Sequence, residues 1–77
     1  MSYILYSSEG CHLCEQAYAL CLPLLNDKIK VVDIVDDEYL VEEYGVHIPV
    51  LKKIANGQQL FWPFTREQIQ AFIVLNN

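Results

Sequence analysis

Two cysteines in the segment SSEGCHLCEQ, residues 7–16, are the side chains best suited to chemistry in this sequence. Cys11 and Cys14 are three positions apart. On a helix, this spacing puts the two Cα atoms roughly 5–6 Å from each other, within the range of a disulfide. Such a pair can be a redox couple, half of a metal site, or two ordinary buried thiols.

The position of the pair favours redox chemistry. An apolar run precedes it and a helical pattern follows, so we expect a helix to begin at about Cys11. Unpaired N–H groups and the helix dipole favour an anion there, and the thiolate is the nucleophilic form of a cysteine. Cys14 is one turn further on, facing inward. We predict that Cys11 attacks a substrate disulfide and that Cys14 resolves the mixed disulfide.

Several neighbours affect this chemistry. A charged His12 would favour a thiolate, and the alternative is a solvent-facing side chain without a role. Glu9 and Glu15 oppose a thiolate by their negative charge. Cys21 lies seven residues beyond Cys14 on the same helix face, about 10 Å away and outside disulfide reach. We expect Cys21 to be a small buried hydrophobe.

A metal site is the competing chemistry. Cys11, Cys14 and Cys21, with His12 or His47, could supply four ligands to zinc. Structural zinc sites usually show two closely spaced ligand pairs, and this sequence has one. We therefore expect no metal site, neither zinc nor an iron–sulfur cluster, and we interpret His47 as a surface loop residue.

Length and charge restrict the class of protein. The chain has 77 residues, 53% of them hydrophobic, which predicts one folded domain over residues 1–77. Ten acidic residues against five basic ones give a net charge of −5, so we expect no nucleic-acid partner. Without a signal-peptide pattern or a membrane-length apolar run, we expect a cytoplasmic monomer without a membrane partner, in which thiols stay reduced.

Hydrophobic periodicity predicts seven elements in the order βαβαββα. Strands are expected over 3–6, 29–35, 50–54 and 59–61. Helices are expected over 13–25, over a short segment that ends at Tyr44, and over a last segment that follows Thr65. The first two strands flank a helix and should be parallel neighbours. The first helix should bury positions 14, 17, 18, 21, 24 and 25, and Pro23 predicts a kink or an early stop. The fold class is therefore α/β, a four-stranded mixed sheet flanked by three helices.

Short polar and glycine signals mark the ends of the other elements. They are Asp36 or Asp37 as the cap of the second helix, Gly45 as its left-handed stop, Asn56-Gly57 as a hairpin turn, and Thr65 with Gln68 as a capping box.

This order of elements resembles the minimal thioredoxin fold, and its glutaredoxin-like branch in particular. Small glutaredoxin-like proteins carry a C-x-L-C start, a Y-G-V-x-x-P-V segment and a W-P-F segment. The sequence has Cys11-His12-Leu13-Cys14, residues 44–50 and Trp62-Pro63-Phe64 at these places. The resemblance covers essentially the whole chain and implies a thiol–disulfide oxidoreductase acting on protein or small-molecule disulfides.

The resemblance also implies roles for residues around the dithiol. The Ile48–Pro49 bond would be cis and lie against the cysteines, so that the Ile48 backbone can pair with an extended substrate. His12, Leu13, Ile48 and Pro49 are thus the candidate substrate-binding residues. Asp33 is expected to be a strand-end residue, the alternative being a buried carboxylate beneath the dithiol.

Two departures from the family pattern concern glutathione. Glutaredoxins that use it commonly carry a base before the first cysteine and a Gly-Gly turn after the hairpin. Here residues 6–10 contain no base, and Trp62-Pro63-Phe64 follows the hairpin. We expect no bound cofactor, with glutathione left open only as a reductant. Trp62 and Phe64 should pack the last helix onto the sheet, the alternative being an exposed patch.

Two other functions stay open at this point. One is a binding module that keeps the fold and uses the dithiol as a redox sensor or adaptor, and the other is the zinc-binding domain. The acids between positions 33 and 43 are expected to form a solvated surface, with attraction of a basic partner protein as the alternative.

Overall fold

The computed structural model describes residues 2–74. The elements follow the predicted order, with one added 3-10 turn over Asn26–Lys28. Within the described residues, no helix is long and apolar enough to cross a membrane. The strands are β1 (Tyr3–Ser7), β2 (Ile29–Asp33), β3 (Val50–Lys53) and β4 (Gln59–Phe61), and the helices are α1 (His12–Leu25), α2 (Glu38–Tyr44) and α3 (Arg66–Val74).

The four strands form one mixed sheet in the order β2-β1-β3-β4. β1 and β2 are parallel, as predicted, and β3 is antiparallel to both β1 and β4. β1 and β2 therefore finish side by side at Ser7 and Asp33, where β3 begins at Val50 and β4 ends at Phe61. We call this edge of the sheet the dithiol end, because the chain continues from β1 to Cys11 there.

Each face of the sheet buries its own set of side chains. The face bearing α2 centres on Tyr6 and Tyr44, whose rings stack with centroids 4.2 Å apart. Because Tyr6 is the β1 residue next to Ser7, this contact holds α2 at the dithiol end. The opposite face packs against α1 and α3 and contains Tyr3, Leu5, Ile29 and Leu51 from the sheet with Ala17, Cys21, Leu25, Ile69 and Phe72 from the helices.

Helix α1 carries the predicted apolar stripe with one correction. Tyr18 is 37% exposed, so its placement on the buried face was wrong. At about 100° per residue, position 18 falls on the rim of the stripe rather than at its centre. The prediction holds for the four fully buried positions of the helix, Cys14, Ala17, Cys21 and Leu25.

Pro23 does not end α1 early, because the helix continues to Leu25. The end comes at Asn26, which adopts a φ of 52° and whose N–H donates to the carbonyl of Leu22. Asparagine is enriched among the residues other than glycine that adopt a positive φ.

Two of the predicted caps are confirmed. Asp37 caps α2, because its Oδ1 accepts the N–H groups of Tyr39 and Leu40 at 2.9 and 3.3 Å. The capping box of α3 is reciprocal: Gln68 N–H donates to Thr65 Oγ1 at 3.1 Å, and Thr65 N–H donates to Gln68 Oε1 at 2.7 Å. These bonds satisfy N–H groups that a helix start leaves unpaired.

The prediction of a left-handed Gly45 was wrong. Gly45 has a φ of −52°, and its N–H continues the helical pattern by donating to the carbonyl of Val41 at 2.8 Å. The Tyr44 carbonyl then accepts from both His47 and Ile48, so the chain turns without a left-handed residue. Glycine is needed here for space, since an added Cβ would press on the Val41 carbonyl oxygen.

Candidate active site

A tight turn delivers the chain from β1 to the first cysteine. The N–H of Cys11 donates to the carbonyl of Ser8 at 3.2 Å, and Gly10 between them has a φ of 80°. That φ at the third position of a four-residue turn is the value of a type II turn, which glycine adopts without steric cost. No atom lies within 4 Å of a Cβ placed on Gly10, so backbone conformation alone selects glycine.

Cys11 is the N-cap residue of α1. Its backbone is extended, with φ −85° and ψ 105°, and its Sγ accepts the N–H of Cys14 at 3.1 Å. The sulfur thus takes the position that a serine or aspartate oxygen occupies in most N-caps. An N–H aimed at this sulfur from a helix N-terminus stabilises negative charge on it.

Cys11 and Cys14 form a disulfide with a Cα–Cα distance of 5.2 Å. This confirms the spacing expected from the i to i+3 relation on a helix. The two sulfurs differ in access, because Cys14 is 2% exposed whereas Cys11 is only partly buried. An incoming disulfide can therefore approach Cys11 and not Cys14.

The other candidate site residues divide between surface and sheet. His12 and Leu13 are exposed on the first turn of α1, with Leu13 47% accessible. Pro49 is buried and Ile48 partly buried, at the start of β3. Val50 pairs with Tyr6 of β1, so the Ile48–Pro49 segment lies at the dithiol end.

The Ile48–Pro49 peptide bond is cis, as is the Trp62–Pro63 bond after β4. The Ile48 N–H already donates to the Tyr44 carbonyl at 3.0 Å. Strand pairing between a substrate and Ile48 would therefore use the Ile48 carbonyl as acceptor, because the N–H is engaged within the protein.

A mainly apolar cavity of about 240 Å³ adjoins the buried cysteine on the α1 face of the sheet. Its lining includes Cys14, Tyr18 and Val31, with Glu15 and Ser7 as its polar members. A larger cavity of about 560 Å³ lies at the opposite end of the sheet, between Tyr3, Leu25 and Ile73.

Cys21 is separate from the dithiol. It is fully buried in the core between the sheet, α1 and α3, and burial raises the pKa of its thiol to about 11. The prediction that Cys21 is a small buried hydrophobe is confirmed. Among residues 2–74, no group of three or more His, Cys, Asp or Glu side chains is arranged to hold a metal ion.

Asp33 is a strand-end residue, as predicted. Its side chain is exposed, and its Oδ1 accepts the N–H of Val35 at 2.9 Å. β2 thus ends two residues before the predicted boundary at 35, at a turn in which the Val35 N–H bonds to the Asp33 side chain.

The aromatic residues after β4 are confirmed as a staple. Phe64 is buried in the core between the sheet, α1 and α3, and the ring of Trp62 meets it edge-on with centroids 5.0 Å apart.

The sequence reasoning missed a second aromatic contact, between the rings of His47 and Phe61, whose centroids are 5.3 Å apart. It also missed the turn before Cys11, for which the Glu9-Gly10 pair was an available signal.

Comparison with known proteins agrees with this architecture. The profile of the glutaredoxin-like domain (DUF836) matches residues 2–74. No curated protein matches the chain. The four-stranded mixed sheet with three helices confirms the minimal thioredoxin-like fold.

The chain is similar to two proteins of known structure. One is the structural-genomics target XcR50 from X. campestris: its X-ray structure is 33% identical, with a TM-score of 0.85 and coverage of 94% of this chain and 95% of that one. Its solution structure is 34% identical, with a TM-score of 0.82 and coverage of 95% of this chain and 92% of that one.

The other is protein Ne2328 from Nitrosomonas europaea, whose solution structure is 30% identical, with a TM-score of 0.73 and coverage of 92% of this chain and 88% of that one. With nearly the whole described fold matched in sequence and in shape, the chain belongs to the glutaredoxin-like domain family (DUF836).

Proposed function

We propose that this protein is a thiol–disulfide oxidoreductase of the glutaredoxin-like type. The observation that carries the proposal is the asymmetry of the dithiol. An accessible Cys11 sulfur caps α1 and accepts the Cys14 N–H, while the Cys14 sulfur lies buried within bonding distance behind it.

The proposed reaction moves two electrons from the dithiol to a substrate disulfide. The Cys11 thiolate attacks one substrate sulfur, an S–S bond forms between them, and the other substrate sulfur leaves as a thiolate that takes a proton from water. The Cys14 thiol loses its proton and attacks the Cys11 sulfur. The bond between Cys11 and the attacked substrate sulfur then breaks, this sulfur leaves with the proton that Cys14 gave up, and the protein retains the Cys11–Cys14 disulfide.

The surroundings of Cys11 support its role as the nucleophile. The N-terminus of α1 and the Cys14 N–H favour the thiolate, and a charged His12 beside it would act in the same direction. Glu9 and Glu15 on either side of the motif oppose it. The Cys14 N–H acts at contact distance, whereas these exposed carboxylates are screened by solvent.

We assign substrate contacts to His12 and Leu13 on α1 and to Ile48 and Pro49 at the start of β3. The first pair follows Cys11 on the first turn of α1, and the second pair precedes Val50, which is opposite Tyr6 near the end of β1. The proposed substrates are protein or small-molecule disulfides. The sulfurs carry the whole exchange, so the proposal needs no bound cofactor, and it fits a cytoplasmic monomer with reduced thiols.

Single-turnover reduction of a peptide disulfide tests the proposal. Protein reduced beforehand and freed of reductant should reduce one disulfide per chain while forming the Cys11–Cys14 disulfide, detected by mass spectrometry after acid quenching. Cys11→Ser should be inactive, because the accessible nucleophile is gone. If reduced wild type fails to reduce peptide, insulin and hydroxyethyl disulfides, the sensor or adaptor function replaces the enzyme.

A further inference from the structure

The acidic residues of this protein are concentrated at the dithiol end. Residues 33–43 comprise the last residue of β2, the connection to α2 and all of α2 except Tyr44, whose stacking on Tyr6 holds the helix at this end. The turn before Cys11 and the first turn of α1 lie there too. Together these segments contain eight of the ten acids, namely Glu9, Glu15, Asp33, Asp36, Asp37, Glu38, Glu42 and Glu43.

The basic residues lie mainly toward the other end. Lys28 precedes β2, and its carbonyl accepts the Ser2 N–H at 2.9 Å. Lys53 ends β3, and its Nζ donates to the carbonyls of Phe72 and Ile73 in the last turn of α3. Lys30 and Lys52 both lie opposite Ile4, near the start of β1. Lys28, Lys30 and Lys53 thus lie in the half of the molecule away from the dithiol, together with Asp27, whereas the Lys52 charge acts on Tyr6.

Apolar side chains are exposed among the acids. Leu13 is 47%, Phe61 46% and Val46 92% accessible. Phe61 pairs with Val50, and the exposed His47 ring meets it edge-on, so an aromatic surface adjoins the Ile48–Pro49 segment. The dithiol end therefore exposes apolar side chains in the part of the molecule that carries most of the acids.

We propose that the dithiol end is a docking surface for cationic polypeptides that carry a disulfide, and that anionic disulfides such as oxidised glutathione are poor substrates. This inference rests on the proposed function and names its substrate class. In this proposal, Leu13, Val46 and Phe61 contact the substrate polypeptide near its disulfide. The acids at the dithiol end attract basic side chains of the substrate on either side of that disulfide.

The charge separation between the two ends makes this preference a property of the site rather than of the whole molecule. A cleft or surface of one sign raises the local concentration and association rate of oppositely charged partners by about 10- to 1,000-fold at low salt. Above the Debye length, which is about 8 Å at physiological ionic strength, the attraction is largely screened. The preference must therefore fall as salt rises.

Two peptides with one internal disulfide and the same core, flanked by lysines in one and by glutamates in the other, test the inference. Reduced protein should reduce the lysine peptide about tenfold faster or more at an ionic strength of about 20 mM, with the ratio falling below about threefold at 200 mM. Oxidised glutathione should follow the glutamate peptide. Equal rates for the two peptides at low salt overturn the inference.

Two charge-matched variants locate the effect. E42Q/E43Q removes two negative charges from α2, and D27K replaces one negative by one positive charge at the far end, so each changes the net charge from −5 to −3. E42Q/E43Q should lower the peptide preference at least about twofold, and D27K should leave it unchanged. Circular dichroism establishes that both variants fold.

The outcomes separate this inference from the proposed function. Equal loss of preference in the two variants would overturn the docking surface, because net charge alone would then explain it. Reduction of both peptides at the same salt-independent rate also overturns it, while the oxidoreductase stands. Failure to reduce either peptide removes the oxidoreductase and the docking surface together.

Discussion

Replacing Cys21 by serine tests whether the third thiol is structural or chemical. Cys21 is fully buried between α1, α3 and the sheet, and burial raises the pKa of its thiol to about 11. Serine is close to cysteine in size, so the change adds a hydroxyl to the core while leaving little empty volume. We expect lower stability and unchanged disulfide exchange.

The magnitude follows from the burial of that hydroxyl. A buried hydroxyl without a partner costs about 1–3 kcal/mol by mutational data. A serine within a helix can bond the carbonyl four residues back, here Ala17, so we expect the lower part of this range, about 1–2 kcal/mol. For a domain of this size, 1 kcal/mol corresponds to about 4–8 °C, and the melting temperature should fall by about 4–16 °C.

Thermal unfolding of the oxidised proteins, followed by circular dichroism, measures the change. Ala19→Ser is the matched control, because it puts a serine on the exposed side of the same helix and should cost about 0.5 kcal/mol or less. The single-turnover rate should stay within about twofold of wild type, since Cys21 takes no part in the exchange. An unchanged melting temperature together with lost exchange would refute the structural role of Cys21.

Three further predictions concern the dithiol and the elements that position it. In the reduced protein at pH 8, iodoacetamide should modify Cys11 first. Cys21 should react about 100-fold more slowly than an ordinary thiol, because a pKa of about 11 leaves roughly 0.1% of it as thiolate. Equal modification of the two cysteines in peptide mapping would contradict the assignment. Gly10→Ala should destabilise the fold by about 1 kcal/mol, since a φ of 80° strains any residue with a Cβ, and Ser8→Ala in the same turn is its control. Thr65→Ala should lower the free energy of unfolding by about 1 kcal/mol through loss of the α3 cap, a change that urea titration would detect and that Glu67→Ala should not reproduce.

The parts of the fold that could be predicted are those that local pattern determines. The apolar stripe of α1 placed Cys14 inside and Cys11 at the helix start, because a 3.6-residue period fixes which side chains share a face. Capping by Asp37 and by Thr65 with Gln68 was likewise readable, since these side chains bond backbone groups two or three residues away.

The parts that could not be predicted depend on contacts between distant segments. The His47–Phe61 contact depends on the register of β3 against β4, and the hydrophobic periodicity of each segment does not determine that register. The right-handed Gly45 depends on how α2 turns into β3, where Tyr44 accepts two N–H groups and stacks on Tyr6. The concentration of acids at the dithiol end likewise emerges only when β1 and β2 pair in parallel, which brings Ser7, just before the Cys11 turn, beside Asp33.

Trapping of a mixed disulfide tests the roles of the two cysteines most directly. Cys14→Ser keeps the accessible Cys11 sulfur and removes the buried one, so after reaction with a disulfide-bonded peptide it should hold one peptide covalently through Cys11, visible as a mass increase by intact-protein mass spectrometry. Cys11→Ser should hold none, because Cys14 is a buried residue with 2% of its surface exposed. Equal trapping by both variants, or trapping through Cys14 alone, would contradict an exposed nucleophile backed by a buried resolving thiol.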